Sequence, residues 1–169
     1  MTDIRRLTAA DAAAFHALRL EAMAAEPESF GTDILEERTR PLDRVAATLA
    51  ATAVFGGFVD GEGLCAMAGF ARHEPLRERH KGRVWSMYVR DSVRGRGLGG
   101  RLLDAVIAHA GDEVDVLQLI VVSTNAPAVA LYESRGFQRW GLEPFALRLA
   151  DGRHTTDAYY WLPLSRGPL

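Results

Sequence analysis

Apolar and polar positions along the chain recur with periods that mark out its elements. Ile4 to Leu7 reads as a short first strand. Thr8 is placed to cap a helix, with Asp11 three residues on to interact with the first turn. Phe15, Leu18 and Ala22 then recur at helical spacing and give that helix a buried face, and Pro27 ends it. A second helical region runs from about Leu35 to Ala50, with a candidate break before Pro41, a residue suited to a first helical position.

Ala53 to Val59 and Leu64 to Ala71 are strand-like, and Asp60-Gly61-Glu62-Gly63 between them is a hairpin signal. His73 to Lys81 is a polar loop before the next strand, Val84 to Arg90. From Leu98 to Ala110 the period returns to that of a helix, with Leu98, Leu102, Ala105, Val106 and His109 along one face. Val116 to Val122 is an almost unbroken apolar run, the pattern of a strand covered on both faces. Asn125 can cap a further helix, with Pro127 in its first turn and Gly136 free to take a left-handed conformation at its end. Phe137 to Leu149 and Arg153 to Leu164 form a last hairpin about Asp151-Gly152. The order β-α-α-β-β-β-α-β-α-β-β predicts one α/β domain over residues 1–169: a mixed sheet with flanking helices, antiparallel in its N-terminal half and β-loop-α-β at its centre.

The chemistry concentrates in Arg94-Gly95-Arg96-Gly97-Leu98-Gly99-Gly100, between a strand and a helix. Glycines let the backbone approach a ligand without Cβ clashes. A helix that starts there directs unpaired N–H groups and a partial positive charge to the same spot, which suits a phosphate or pyrophosphate. Arg94, Arg96 and Arg101 add full charges. Gly95, Gly97 and Gly100 satisfy the dinucleotide pattern G-x-G-x-x-G, but that reading needs an acidic residue ending the following strand. Here the strand ends in Ser123-Thr124-Asn125, and Asp115 precedes it, so the ribose anchor is missing.

Arg94, Gly97 and Gly99 also fit [RQ]-x-x-G-x-[GA], and downstream stands Asn125-Ala126-Pro127-Ala128-Val129-Ala130-Leu131-Tyr132-Glu133-Ser134-Arg135-Gly136-Phe137. The two motifs, in this order, resemble the GCN5-related N-acetyltransferase (GNAT) superfamily. The resemblance covers residues 84 to 137 well and the flanks more loosely. It implies the same mixed fold, in which the strands holding Val89 and Val122 run parallel and splay apart to admit the pantetheine arm of acetyl-CoA. It further implies that Gly95, Arg96, Gly97, Leu98, Gly99 and Gly100, with Arg94, hold the pyrophosphate. The backbone of Met87, Tyr88 and Val89 would bond the arm, and Asn125, Ala128 and Tyr132 share the helix face turned towards the donor. Tyr132 is then the candidate general acid, because a phenol (reference pKa about 10) keeps its proton at neutral pH and can give it to a leaving thiolate.

The resemblance stops short of a general base. Relatives that place a carboxylate on either flanking strand find none here, since those runs read Trp85-Ser86-Met87-Tyr88 and Leu119-Ile120-Val121-Val122. His73, Glu74, His80 and Glu28 remain open, as does a water chain. Fold-level analogy assigns acceptor recognition to Glu28, Phe30 and His80. The reading is an acetyl-CoA-dependent N-acetyltransferase acting on a primary amine, small molecule or peptide, by direct attack. The alternative is a CoA-binding sensor without turnover.

Composition changes this picture little. A formal net charge of −2 offers no case for nucleic acid or an anionic membrane, and no apolar run reaches membrane-spanning length. Cys65, the single cysteine, sits in a strand-like run, so no internal disulfide can form and a cytoplasmic setting is expected. No metal site is expected. Tyr159 and Tyr160 put aromatics on both faces of the terminal hairpin, which a second subunit (a homodimer) or a helix of the same chain would cover.

Overall fold

A computed structural model describes residues 2–164. Its strands are β1 (Thr2–Arg6), β2 (Ala53–Val59), β3 (Gly63–Arg72), β4 (Lys81–Val89), β5 (Val116–Val122), β6 (Gln138–Arg148) and β7 (His154–Pro163). The helices are α1 (Ala12–Ala25), α2 (Ile34–Arg38), α3 (Leu42–Ala51), α4 (Leu98–Gly111) and α5 (Ala126–Glu133). One seven-stranded sheet runs in the order β1-β2-β3-β4-β5-β7-β6. Every neighbouring pair is antiparallel except β4 and β5. This is the mixed sheet with flanking helices that the sequence predicts.

Local chemistry explains several boundaries. The Thr8 N–H donates to the Asp11 carboxylate at 2.8 Å, and Asp11 also pairs with Arg5 at 2.7 Å, which ties the entry of α1 to β1. The second helical region is two helices, and Pro41 is the residue before α3 rather than its first helical position, because its backbone is extended (φ −64°, ψ 143°). Asn125 caps α5 by accepting from the Ala128 N–H at 3.2 Å, and Gly136 closes that segment with φ +87°.

The two faces of the sheet carry separate apolar cores. Leu98, Leu102, Leu103 and Val106 of α4 join Tyr132, Leu117, Leu119 and Tyr160 on one face. Phe15, Leu18 and Ala22 of α1 join Val45, Leu49, Met67 and Tyr88 on the other. Cys65 is buried and free. Among the described residues no helix is long and apolar enough to cross a membrane.

Two expectations change. β5 is not covered on both faces: Ile120 is 55% exposed on the α1 side, where a cleft opens. The terminal strand β7 is not at the sheet edge, because it lies between β5 and β6. Tyr160 is buried with its hydroxyl donating to Glu133 at 2.9 Å, while Tyr159 packs on Trp140 and donates to Glu143 of β6. Tyr160 is therefore covered within the chain, by the core on the α4 and α5 side, while Tyr159 stays half-buried beside Trp140.

Candidate active site

β4 and β5 pair only at their first residues, Lys81 with Val116, Gly82 with Leu117 and Arg83 with Gln118. Beyond this they separate, and the β4 edge from Val84 onward has no strand partner on that side. Unpaired main-chain groups in a buried edge are costly, so such a gap favours an occupant able to pair with them. The separation opens into a cleft of about 760 Å³. Arg83 to Met87 form one wall, Gln118 to Val122 the other, and Asn125, Ala128, Leu131 and Tyr132 of α5 close one side.

A β-bulge shapes the β4 wall. Met67 of β3 faces Tyr88 and Gly69 faces Trp85, so β4 carries one extra residue between those pairs. Ser86, in the bulge, has φ +51°, a left-handed conformation uncommon for a non-glycine residue. The extra residue resets the alternation: Val84 and Met87 face the α4 core, whereas Trp85 and Tyr88 both face α1. Arg19 of α1 secures this geometry by donating to the Ser86 hydroxyl. Its guanidinium lies 5.5 Å from the Phe30 ring and 6.0 Å from the Trp85 ring, and its Nε is 3.2 Å from the buried Glu37 carboxylate.

The glycine loop divides by direction. Gly95 (φ +76°) and Gly97 (φ +73°) are left-handed, and a Cβ built at either meets no protein atom within 4 Å. Gly99 and Gly100 point inward, the first against Met87, Val89 and Leu131, the second under the Arg135 side chain. The first N–H bonded back into α4 is that of Arg101, to the Gly97 carbonyl at 3.1 Å, which leaves those of Leu98, Gly99 and Gly100 directed out of the helix end. An open, positively polarised backbone cradle at the start of a 14-residue helix fits a pyrophosphate.

Arg94 is tied into the surrounding structure. Its Nε donates to the Val89 carbonyl at 2.8 Å, and its guanidinium pairs with Glu26 at the end of α1 and with Asp91 at 2.7 Å. It thereby links the loop to α1. Arg96 is exposed beside the cradle. Met87 lines the cleft. Val89 packs towards α4, and Tyr88 turns away to donate to Glu21 at 3.3 Å, where burial and the Glu21 charge push its phenol up to about 12. Only the main chain of Tyr88 is directed along β4, so its side chain takes no part in the cleft.

Tyr132 is buried, lines the cleft and packs edge-on to Phe137 at 6.0 Å. Burial, reinforced by the Glu26 charge, raises its phenol well above the ordinary tyrosine value. It therefore keeps its proton at neutral pH.

Across the sheet, Glu28 and Phe30 line the α1 side of the cleft, and His73 joins them, with its Nδ1 3.1 Å from Glu78. His80 does not. It is exposed, and its carbonyl accepts from the N–H groups of Asp115 (2.8 Å) and Val116 (3.1 Å), at the closed end of the β4–β5 pair. Glu74 is likewise exposed and outside the cleft.

Arg19, Trp140, Glu143, Asp157 and Tyr159 line the cleft without having been expected there. Asp157 left only a faint signal in the sequence, a carboxylate inside the strand run Thr155 to Leu162, on the face opposite Ala158 and Tyr160. The others come from segments that carry no motif.

Residues 15–137 match the family model described as Acetyltransferase (GNAT) family, and the chain belongs to that family. Among curated proteins, a mycothiol acetyltransferase of Salinispora tropica is 34% identical over 139 residues, covering 78% of this chain and 42% of the relative. An L-methionine sulfoximine/L-methionine sulfone acetyltransferase of Pseudomonas aeruginosa is 40% identical over 60 residues, 35% of each chain. The chain spans less than half the length of the first curated relatives it matches. The fold of the yncA protein of Salmonella typhimurium, solved with acetyl-CoA, superposes with a TM-score of 0.86 at 23% identity, covering 100% of this chain and 97% of the other.

Proposed function

We propose that this chain moves the acetyl group of acetyl-CoA onto the nitrogen of a primary amine, by direct attack with both substrates held at once. The observation that carries the reading is the cleft itself: a splayed β4–β5 pair with the open Gly95–Gly97 cradle at one end and the buried Tyr132 beside it. When bound, acetyl-CoA supplies an activated thioester. The N–H groups around Gly95 to Gly100 hold the pyrophosphate, with Arg96 beside them. The free edge of β4 near Met87 and Val89 receives the amide-bearing arm, and Asn125 and Ala128 at the start of α5 flank it. The β4 edge beyond Arg83, unpaired and reshaped by the Ser86 bulge, offers main-chain N–H groups to stabilise a developing oxyanion. Tyr132 gives its proton to the departing thiolate.

The acceptor enters from the α1 face, past Glu28 and Phe30. Relatives named for small-molecule acetylation favour such an acceptor over a protein. Buried, unpaired Cys65 lies outside the cleft, which argues against an acyl-enzyme and suits a cytoplasmic setting. The test is coenzyme A release during incubation with acetyl-CoA and a panel of amino acids, polyamines and arylalkylamines. Release with an N-acetylated product supports the reading. Acetyl-CoA binding without release for any amine overturns it in favour of a sensor.

A further inference from the structure

Asp157 is nine-tenths buried on β7, lines the cleft, and its Oδ1 has no hydrogen-bond partner among the described residues. Its cross-strand neighbours are Val122 on β5 and Glu143 on β6. Two carboxylates directly opposite each other on one face repel unless a cation or a proton comes between them. Among the described residues, neither has an Arg, Lys or His partner within 4.0 Å. Glu143 is held by the Tyr159 hydroxyl, which leaves Asp157 as the acceptor directed into the cleft. A buried carboxylate with no charged partner and one unsatisfied oxygen is a poor structural element and a good place for a cation.

We propose that Asp157 holds the ammonium group of the acceptor and takes its proton, serving as the general base of the reaction. This rests on the transferase reading above. The face fits: Ala158 and Tyr160 point into the α4 core, so Asp157 and Tyr159 point to the α1 side, opposite the helices that carry the cradle and Tyr132. The ammonium gives one proton to the Asp157 carboxylate, and the freed lone pair forms the C–N bond as the C–S bond breaks. Tyr132 protonates the thiolate and is restored by the second proton the nitrogen sheds as the amide forms. Asp157 then loses its proton to solvent.

The environment poises the group for this task. Burial pushes the Asp157 carboxyl above the ordinary Asp range, the Glu143 charge adds to the rise, and the Thr155 hydroxyl offsets part of it. A base must be ionised to act, so activity rises with pH through this raised value. The other charged groups lining the cleft are Arg19, Glu28, His73 and Arg83, with Tyr159 beside Asp157 on its own strand.

The test compares the full chain with Asp157→Asn, an isosteric change that also removes the repulsion with Glu143. Coenzyme A release with the amine panel is followed across the acid and neutral range, acetyl-CoA affinity is measured by calorimetry, and the carboxyl carbon of Asp157 is titrated by NMR in the wild type. The variant is expected to lose about 10²- to 10³-fold in kcat/KM, the range of general base catalysis. It should also lose the ascending limb of the pH profile, keep acetyl-CoA affinity within about twofold, and melt no lower than the wild type. The NMR titration should fall above the ordinary Asp value and coincide with that limb. Unchanged kcat/KM and limb in Asp157→Asn, or an ordinary titration, overturns this inference while leaving the transferase reading in place. Wild-type silence towards every amine overturns both.

Discussion

On the α4 side the cleft presents main chain: two left-handed glycines, the N–H groups of a helix start and the free edge of β4. On the α1 side it presents side chains from separate segments: Arg19, Glu28, Phe30, His73, Glu143 and Asp157. The first kind of site leaves a contiguous pattern, because backbone conformation demands glycine at fixed spacing. The second leaves none, because any segment can deliver a side chain to a cleft. On the proposed reading the donor side is built to hold one fixed group, while the acceptor side can be rewritten one side chain at a time.

Replacing Gly97 with Val strikes the backbone site hardest. The new Cβ meets no protein atom but projects where the ligand lies, so acetyl-CoA binding measured by calorimetry is expected to fall below detection. Left-handed strain costs about 1–2 kcal/mol, so the domain stays folded. Unchanged affinity would move the phosphate site elsewhere.

On the opposite face the corresponding lever is Glu37, buried between Arg19 (3.2 Å) and Arg40 (3.5 Å), with His16 Nε2 on its carbonyl at 2.9 Å. Glu37→Leu strands the Arg19 charge and should cost about 3 kcal/mol in denaturant unfolding. It also loosens the residue that holds the Ser86 bulge, so the KM for the amine should rise more than the Kd for acetyl-CoA. Equal effects on both would erase the distinction between the two faces.

Tyr132→Phe keeps the ring packing and removes the proton donor. A fall in kcat of about 10²-fold is expected, with donor affinity little changed. The working form is the protonated one, and burial raises its pKa, so the wild type should show no alkaline loss attributable to this phenol below the ordinary tyrosine value of about 10. Wild-type turnover in the variant, with chemistry rate-limiting, removes Tyr132 from the mechanism.

Gly100→Ala is the mildest. Its Cβ would meet the Arg135 guanidinium at 2.2 Å, the far end of a flexible chain that can move aside. A stability change under about 1 kcal/mol and a donor affinity change under tenfold are expected. A loss as large as that of Gly97→Val would mean that all glycines of the loop serve the ligand alike.

These contrasts show how much could be read in advance. The order of strands and helices followed from period and punctuation, and the loop and the Asn125 to Phe137 segment marked the donor site. The break at Pro41 surfaced as one residue, while the place of β7 inside the sheet had no local signature, because strand order is set by long-range pairing. Ile120 was read as buried because an apolar residue in a strand suits a core and a cleft equally well. The two motifs point to β4, β5 and their loops, whereas the Asp157 carboxylate reaches the cleft from a strand that only the sheet order brings alongside β5. Fold-level analogy brings His80 near the right strand, but it sits at the closed end of the β4–β5 pair.

The central claim is that donor and acceptor meet through the gap between β4 and β5 from opposite faces of the sheet. A crystal structure with coenzyme A and a bound amine tests it most directly. Pyrophosphate is expected on the N–H groups of Gly95 to Gly100, the arm along the β4 edge, the sulfur beside Tyr132 and the amine on the α1 face towards Asp157. Coenzyme A lying outside that gap, or an amine approaching from the α4 side, would contradict it.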